Sequence, residues 1–262
     1  MQREQIAEMY AVEQAHWWFW SKRLLMRRLL GTRLRRSGLR ILDIGCGAGA
    51  NALELSRFGR VTAADRSLEA LAFVRSRGVD DVVAAEAPQL PFRDASFDIV
   101  TAYDVIEHVD DDRGFVRELA RVLVPGGALA VHVPAWPSLW SRHDVVLEHK
   151  RRYTRRSLHA LLSVDELEID RLGWTNFTIF APTAALRLAR RILPGAGSGG
   201  DGADLGIVPA PINWLLRGVG RAEAAVAATT GLPIGVSLAA IATRRPATGD
   251  DAARSSLAQA PK

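Results

Sequence analysis

Three observations predict an α/β fold with a doubly wound, mostly parallel sheet for this chain of 262 residues. Short apolar strands alternate with helical segments between positions 40 and 133. The first strand, 40–44, runs straight into a glycine-rich turn, Gly45-Cys46-Gly47-Ala48-Gly49, and a helix follows. A carboxylate, Asp65, closes the second strand, twenty positions after Gly45. Parallel strands need helical crossovers, so such alternation implies a sheet covered on both faces. The turn and the distal aspartate make that sheet Rossmann-like, with a nucleotide site at its first turn.

The elements follow in order. The first 30 residues read as helical: Ile6, Met9, Tyr10 and Glu13 lie at helix spacing. The aromatic patch His16-Trp17-Trp18-Phe19-Trp20 and a basic stretch to Arg28 come next. Residues 1–38 are therefore an N-terminal helical cap. A helix is expected at 51–58, a strand at 59–64, a helix at 68–77 stopped by Gly78, and a strand at 81–85. A strand at 97–102, a helix at 113–123, the turn Pro125-Gly126-Gly127 and a strand at 128–133 continue the series. After Pro134 the pattern lapses, and 136–156 reads as a polar, aromatic and basic loop. A short helix at 157–162 and a strand at 167–177 complete a core spanning 39–176. Residues 177–232 read as a helical insertion, with apolar helices at 181–193 and 212–228 and a glycine-rich linker at 195–202. The last strand falls within 233–245, and 246–262 has the composition of a disordered tail.

Composition narrows the class. Hydrophobic residues are 48% and charged residues 24%, which excludes a collagen, a disordered tail protein and a disulfide scaffold. Lys plus Arg is 34 against 29 Asp plus Glu, a formal charge of +5. That mild excess permits an anionic substrate or a membrane surface and gives no reason to expect a nucleic acid. The one cysteine, Cys46, allows no intramolecular disulfide and no cysteine zinc cluster, and it reads as a small residue in a tight turn. The first residues lack a basic-then-apolar leader, and the apolar stretch 224–242 is interrupted by Gly231-Leu232-Pro233. A cytoplasmic protein is expected.

The turn after the first strand offers backbone N–H groups that a cofactor can approach only where side chains are missing. Asp65 can accept hydrogen bonds from both hydroxyls of a ribose. The same turn also fits the dinucleotide fingerprint with Ala50 in its third small position, so a nicotinamide nucleotide stays open on this motif alone.

Ile41-Leu42-Asp43-Ile44-Gly45-Cys46-Gly47-Ala48-Gly49 resembles the first motif of class I S-adenosylmethionine-dependent methyltransferases. Three further segments resemble, in order, those of the bacterial type 11 members: 86–98 with Leu90-Pro91-Phe92, Asp104-Val105-Ile106-Glu107-His108-Val109, and Arg121 through Pro125-Gly126-Gly127. The resemblance covers about 40–133. It implies that Asp43, Gly45, Gly47 and Gly49 hold the methionine end of S-adenosyl-L-methionine. It places Asp65 and Arg66 at the ribose, Glu86 and Ala87 at the adenine, and Tyr103 and Asp104 beside the sulfonium. Glu86 stands where most relatives have Asp.

Methyl transfer is an in-line displacement that positioning and desolvation can largely drive. A carbon or nitrogen acceptor can react without a base. A hydroxyl acceptor needs one, and His108, His143 and His149 are the catalytic candidates. Some relatives carry Glu-x-x-Glu-His as a divalent-metal site, so the resemblance offers Asp104, Glu107 and His108 as metal ligands. The alternative is that Glu107-His108 begins a loop and lines the pocket. Trp17 and Trp18 either pack the first helix onto the sheet or form a lid over the substrate. Arg152 and Tyr153, inside the basic run 150–156, are candidate substrate contacts. The apolar helices of the insertion, with Arg187, Arg190, Arg191 and Arg217 along them, suit a lipid-like acceptor, a membrane surface or a dimer contact. The expectation is O- or C-methylation of a small-molecule or lipid-like acceptor. A non-catalytic cofactor-binding module and an RNA methyltransferase are the alternatives.

Overall fold

The structure, a computed structural model, describes residues 3–192 and 208–246. Its strands are β1 (Leu39–Ile44), β2 (Gly59–Asp65), β3 (Val82–Ala84), β4 (Phe97–Tyr103), β5 (Leu123–Pro134), β6 (Leu167–Thr175) and β7 (Ser237–Arg244). They form one sheet in the order β3-β2-β1-β4-β5-β7-β6. Only β7 runs against its neighbours, β5 and β6, and the other pairings are parallel. Strand order reverses between β1 and β4, so the crossovers on either side leave a crevice beyond the carboxyl ends of these strands.

Burial explains why these segments are strands. Ile41 and Leu42 point to opposite faces of β1 and both are fully buried. Leu42, Val100 and Leu129 meet Phe115 and Leu119 of α5 (Asp112–Val122) and Leu158 of α7 (Arg155–Leu162). On the other face Ile41, Ile99 and Ala130 pack with Met26 and Leu30 of α2 (Trp17–Leu30). The same layer takes Leu55 of α3 (Ala50–Leu55) and Leu71 of α4 (Leu68–Ser76).

The structure departs from the sequence reading in three places. The N-terminal cap is two helices, α1 (Arg3–Val12) and α2. Between them the Arg23 guanidinium donates to the carbonyls of Glu13 (2.9 Å) and Gln14 (3.1 Å), which folds the chain back on itself. The segment 136–156 is not a plain loop. It holds α6 (Arg142–Val146), begun by a Ser141–Asp144 capping box. Finally, β5 starts at Leu123, so the Pro125-Gly126-Gly127 turn sits within a strand whose register against β4 shifts there.

Two helices, α8 (Phe180–Ile192) and α9 (Ala210–Thr229), lie between β6 and β7. α9 joins the N-terminal cap: Ala224 and Ala227 pack on Leu24 and Leu25 of α2. The approach is so close that a Cβ on Gly220 would fall 2.0 Å from the Ser21 hydroxyl. The linker at 195–202 and the tail from 247 lie outside the described residues.

Candidate active site

A cavity of about 1250 Å³ opens at the carboxyl ends of β1, β2 and β4. The glycine turn and Asp65 form one side of it. Residues of α1 and α2 cover it, and the 141–152 segment and α8 form the far side.

On the first side, Gly47 sits at φ +53° and donates its N–H to Asp65 Oδ2 (3.0 Å), while Ser67 N–H donates to Oδ1 (2.9 Å). Asp65 thus ties the turn to the end of β2 and still lines the cavity, as do Gly45, Arg66, Glu86 and Ala87. Gly49 plays a different part from the one expected. It is the left-handed residue that starts α3, and its open side faces Val74 of α4 instead of the cavity.

Asp43 lines the cavity at the end of β1. Its Oδ1 accepts from Asn51 Nδ2 and Thr101 Oγ1, both at 2.6 Å. Its Oδ2 is buried and has no hydrogen-bond partner among the described residues. Burial pushes this carboxyl up to about 6, against the pull of Thr101 and Asn51. A buried oxygen left without a donor fits a ligand that brings one, such as the ammonium of a bound amino acid.

The cover is latched to the turn. Glu13 Oε1 accepts from Ala50 N–H (3.0 Å) and from Arg77 (2.9 Å), and the Arg77 guanidinium lies 4.1 Å from the centre of the Tyr10 ring. Glu13 was noted in the sequence only as a helix position. The matching cation just after α4, 64 positions away, left no local signal.

Tyr103 closes β4, Asp104 follows it, and both line the cavity. Asp104 takes a left-handed backbone, φ +57°. Lys22 Nζ donates to its Oδ2 (2.5 Å), and His132 Nδ1 lies 2.7 Å from Oδ1. Burial alone would raise its pKa, but these two neighbours hold the carboxyl well below the usual range. Neither Lys22 nor His132 stood out in the sequence.

His108 and His149 line the far side, with Glu107 buried beside them. Glu107 is fully buried, and neither carboxyl oxygen has a hydrogen-bond partner among the described residues. Burial, with the charge of Asp104 nearby, raises its pKa well above the ordinary carboxylate value. The rings of His108 and His149 meet edge to face at 4.9 Å. Burial and His149 lower the pKa of His108, which favours its neutral form.

His149 Nδ1 is 2.9 Å from Asp144 Oδ1. Asp144 is fully buried, yet His149, Arg152 Nε (2.6 Å) and Ser141 N–H (2.9 Å) hold its carboxyl well below the usual range. An ionised Asp144 favours the proton on Nδ1 and leaves Nε2 of a neutral His149 as an acceptor.

The remaining expectations divide. Trp17, Trp18 and His143 line the cavity, with the two indoles edge to face at 5.6 Å. Arg152 also lines it, but its guanidinium is buried and bound to Asp144 and to the Ala135 carbonyl (2.9 Å). Tyr153 does not reach the cavity. It is 3% exposed and donates to Asp112 Oδ2 (2.9 Å), because its backbone bridges to Ala135 and turns the ring under α5. The expected metal set also changes. Asp104 is drawn off by Lys22 and His132, and His149 joins Glu107 and His108 with ligand atoms within 4.8 Å of one another. Cys46 is buried, and its thiol is pushed up by burial, which makes it inert.

Comparison with known proteins agrees with this layout. The family description "Methyltransferase domain" matches residues 42–131. The chain is 39% identical over 157 residues to a 27-O-demethylrifamycin SV methyltransferase of Amycolatopsis mediterranei, covering 55% of this chain and 56% of that protein. It is 36% identical over 138 residues to a ubiquinone biosynthesis O-methyltransferase of Xanthomonas oryzae pv. oryzae, covering 50% and 58% respectively. It therefore spans little more than half the length of these relatives. Among solved structures, the cyclase SpnF superposes with a TM-score of 0.60 at 22% identity, covering 93% of each chain, which speaks for the fold alone. The glycine turn, Asp43 and Asp65 all lie inside the segment 42–131 that is similar to a methyltransferase domain.

Proposed function

We propose that this chain methylates a hydroxyl oxygen of a bulky, largely apolar small molecule, with S-adenosylmethionine as donor. The observation that carries this reading is that one cavity joins the Asp43–Gly47–Asp65 side to His108 and His149, beside which Glu107 lies buried. Its size, about 1250 Å³, exceeds the roughly 300–1,000 Å³ of common ligand pockets, so there is room for donor and acceptor together. Two relatives named for O-methylation support oxygen as the acceptor atom.

The residues divide the work. Asp43 would take the ammonium of the donor, Asp65 the ribose, and Glu86 and Ala87 would flank the adenine. When bound, S-adenosylmethionine supplies a methyl carbon whose bond to sulfur breaks as the acceptor oxygen's electron pair forms the new bond. His149 Nε2 takes the hydroxyl proton, and Asp144 stabilises the imidazolium that results. Trp17 and Trp18 cover the site and keep water from the reacting atoms.

A second reading is favoured by the unpartnered oxygens of Glu107. Glu107, His108 and His149 have the donor chemistry and the spacing of a divalent-cation site, where a cation would lower the pKa of the acceptor hydroxyl. Labelled S-adenosylmethionine offered with a fractionated small-molecule and lipid extract tests both readings. An O-methylated product supports the proposal, and label found only on carbon, nitrogen or RNA refutes it. Loss of activity in chelator with recovery on adding magnesium supports the cation. Full activity in chelator removes it.

A further inference from the structure

We propose that the outer faces of α8 and α9 seat this chain on an anionic lipid surface, with the cavity mouth turned toward the bilayer. α8 turns Thr183 and Arg187 toward the cavity. Its exposed positions among the described residues are Ala181, Pro182, Ala185, Leu186, Leu188 and Ala189, with no charge among them. Over 181–189 the side of this helix shown to water is therefore apolar and lacks the polar face of an ordinary surface helix.

α9 repeats the arrangement. Its inner side is fixed by Asn213, which accepts from Trp17 N–H (2.8 Å) and donates to the Ala15 carbonyl (2.9 Å), and by Gly220 on Ser21. Its first turns leave Ile212, Trp214 and Leu215 exposed, Trp214 at 77%. An indole standing in solvent beside leucine and isoleucine suits the boundary between headgroups and acyl chains.

Charge chooses the lipid. In sequence the two helices hold five arginines against one acid, Glu223, and Arg187 turns inward to Asp144 and the Leu139 carbonyl. The other four, Arg190, Arg191, Arg217 and Arg221, still outnumber the acid by three. Glu223 is itself engaged by the N–H and hydroxyl of Thr178. A bilayer with negative headgroups complements this excess, and an uncharged one does not.

The face is also continuous with the site. Leu186 is half exposed yet lines the cavity, and Val208, just before α9, lines it too. An acceptor with an apolar tail could therefore pass from the lipid into the cavity. This last step rests on the methyl-transfer reading; the docking does not.

The test is co-sedimentation of the full chain with vesicles of phosphatidylcholine, with and without phosphatidylglycerol. Binding to the anionic vesicles at low salt is expected, with marked loss at high salt and little binding to phosphatidylcholine alone. Leu188→Glu with Trp214→Glu should lower the bound fraction about tenfold or more, since both side chains are more than half exposed. Thermal stabilisation by S-adenosylhomocysteine, measured on the same variant, shows that it is folded and reports the methyl-transfer reading separately. No sedimentation with anionic vesicles at low salt overturns the docking, as does undiminished binding by the folded double variant. So does a dimer in velocity sedimentation that the two substitutions disperse, because the face then belongs to a second copy.

Discussion

The side of the cavity proposed for the donor is built mainly from one short stretch, Asp43 to Asp65, whereas the side proposed for the acceptor draws Lys22, His108, His149 and Leu186 from four distant parts of the chain. The first is held by backbone. Gly47 N–H and Ser67 N–H fix Asp65, and a parallel sheet fixes where that stretch ends. The second is held by side chains reaching across elements: Asp144 to His149 and Arg152, and Asp104 to Lys22 and His132. A shared donor needs one geometry, and a strand–turn–helix unit provides it. An acceptor site can then change by side-chain replacement on loops and covering helices without disturbing the sheet.

The largest effect should come from separating the two sides. His149→Ala should lower the rate of oxygen methylation by about 10²–10⁴-fold, the usual worth of a positioned base, and leave donor affinity alone. Single-turnover rates with the identified acceptor would show it. A rate within a few-fold of wild type moves the base elsewhere in the site. Gly47→Val attacks the other side. A branched side chain at φ +53° would strain the turn and strike Met9, since even a Cβ would stand 2.9 Å from its Cε. Donor affinity should fall about a hundredfold or more, read by calorimetry, with the melting curve as the check on folding.

A smaller effect should follow pH. Burial raises the Asp43 carboxyl to about 6, so below that pH it is neutral and above it charged. The ionised form attracts the donor's ammonium and the neutral form does not. Donor affinity should therefore weaken several-fold as pH falls through about 6, and Asp43→Asn should flatten the profile. A wild-type profile unchanged between pH 5 and 7 would place the ammonium away from Asp43.

This contrast also decides what was legible before folding. The turn, Asp65 and the strand alternation lie at short, fixed spacings, so the sheet and its glycine turn could be read locally. His149 could be named as a base, but its orienting partner could not be assigned. The sign of α6, Ser141-x-x-Asp144, was present as a capping box. Its acid, however, serves both the helix and the histidine. Tyr153 misled because a basic, aromatic run looks substrate-facing, and only the bridge to Ala135 turns it inward. Glu13–Arg77 and Lys22–Asp104 join residues 64 and 82 positions apart, where no periodicity reports contact.

The proposed donor and acceptor sides share one cavity but are held by separate parts of the chain. Calorimetric titration of S-adenosylhomocysteine into the wild type, Asp65→Ala and His149→Ala tests it most directly. Asp65→Ala would remove the proposed acceptor of two ribose hydrogen bonds, each worth about 1.5–3 kcal/mol, so binding should weaken by tenfold or more. His149→Ala should stay within about twofold of wild type, because that ring faces the acceptor. Full binding by Asp65→Ala together with lost binding by His149→Ala would contradict the assignment of both sides.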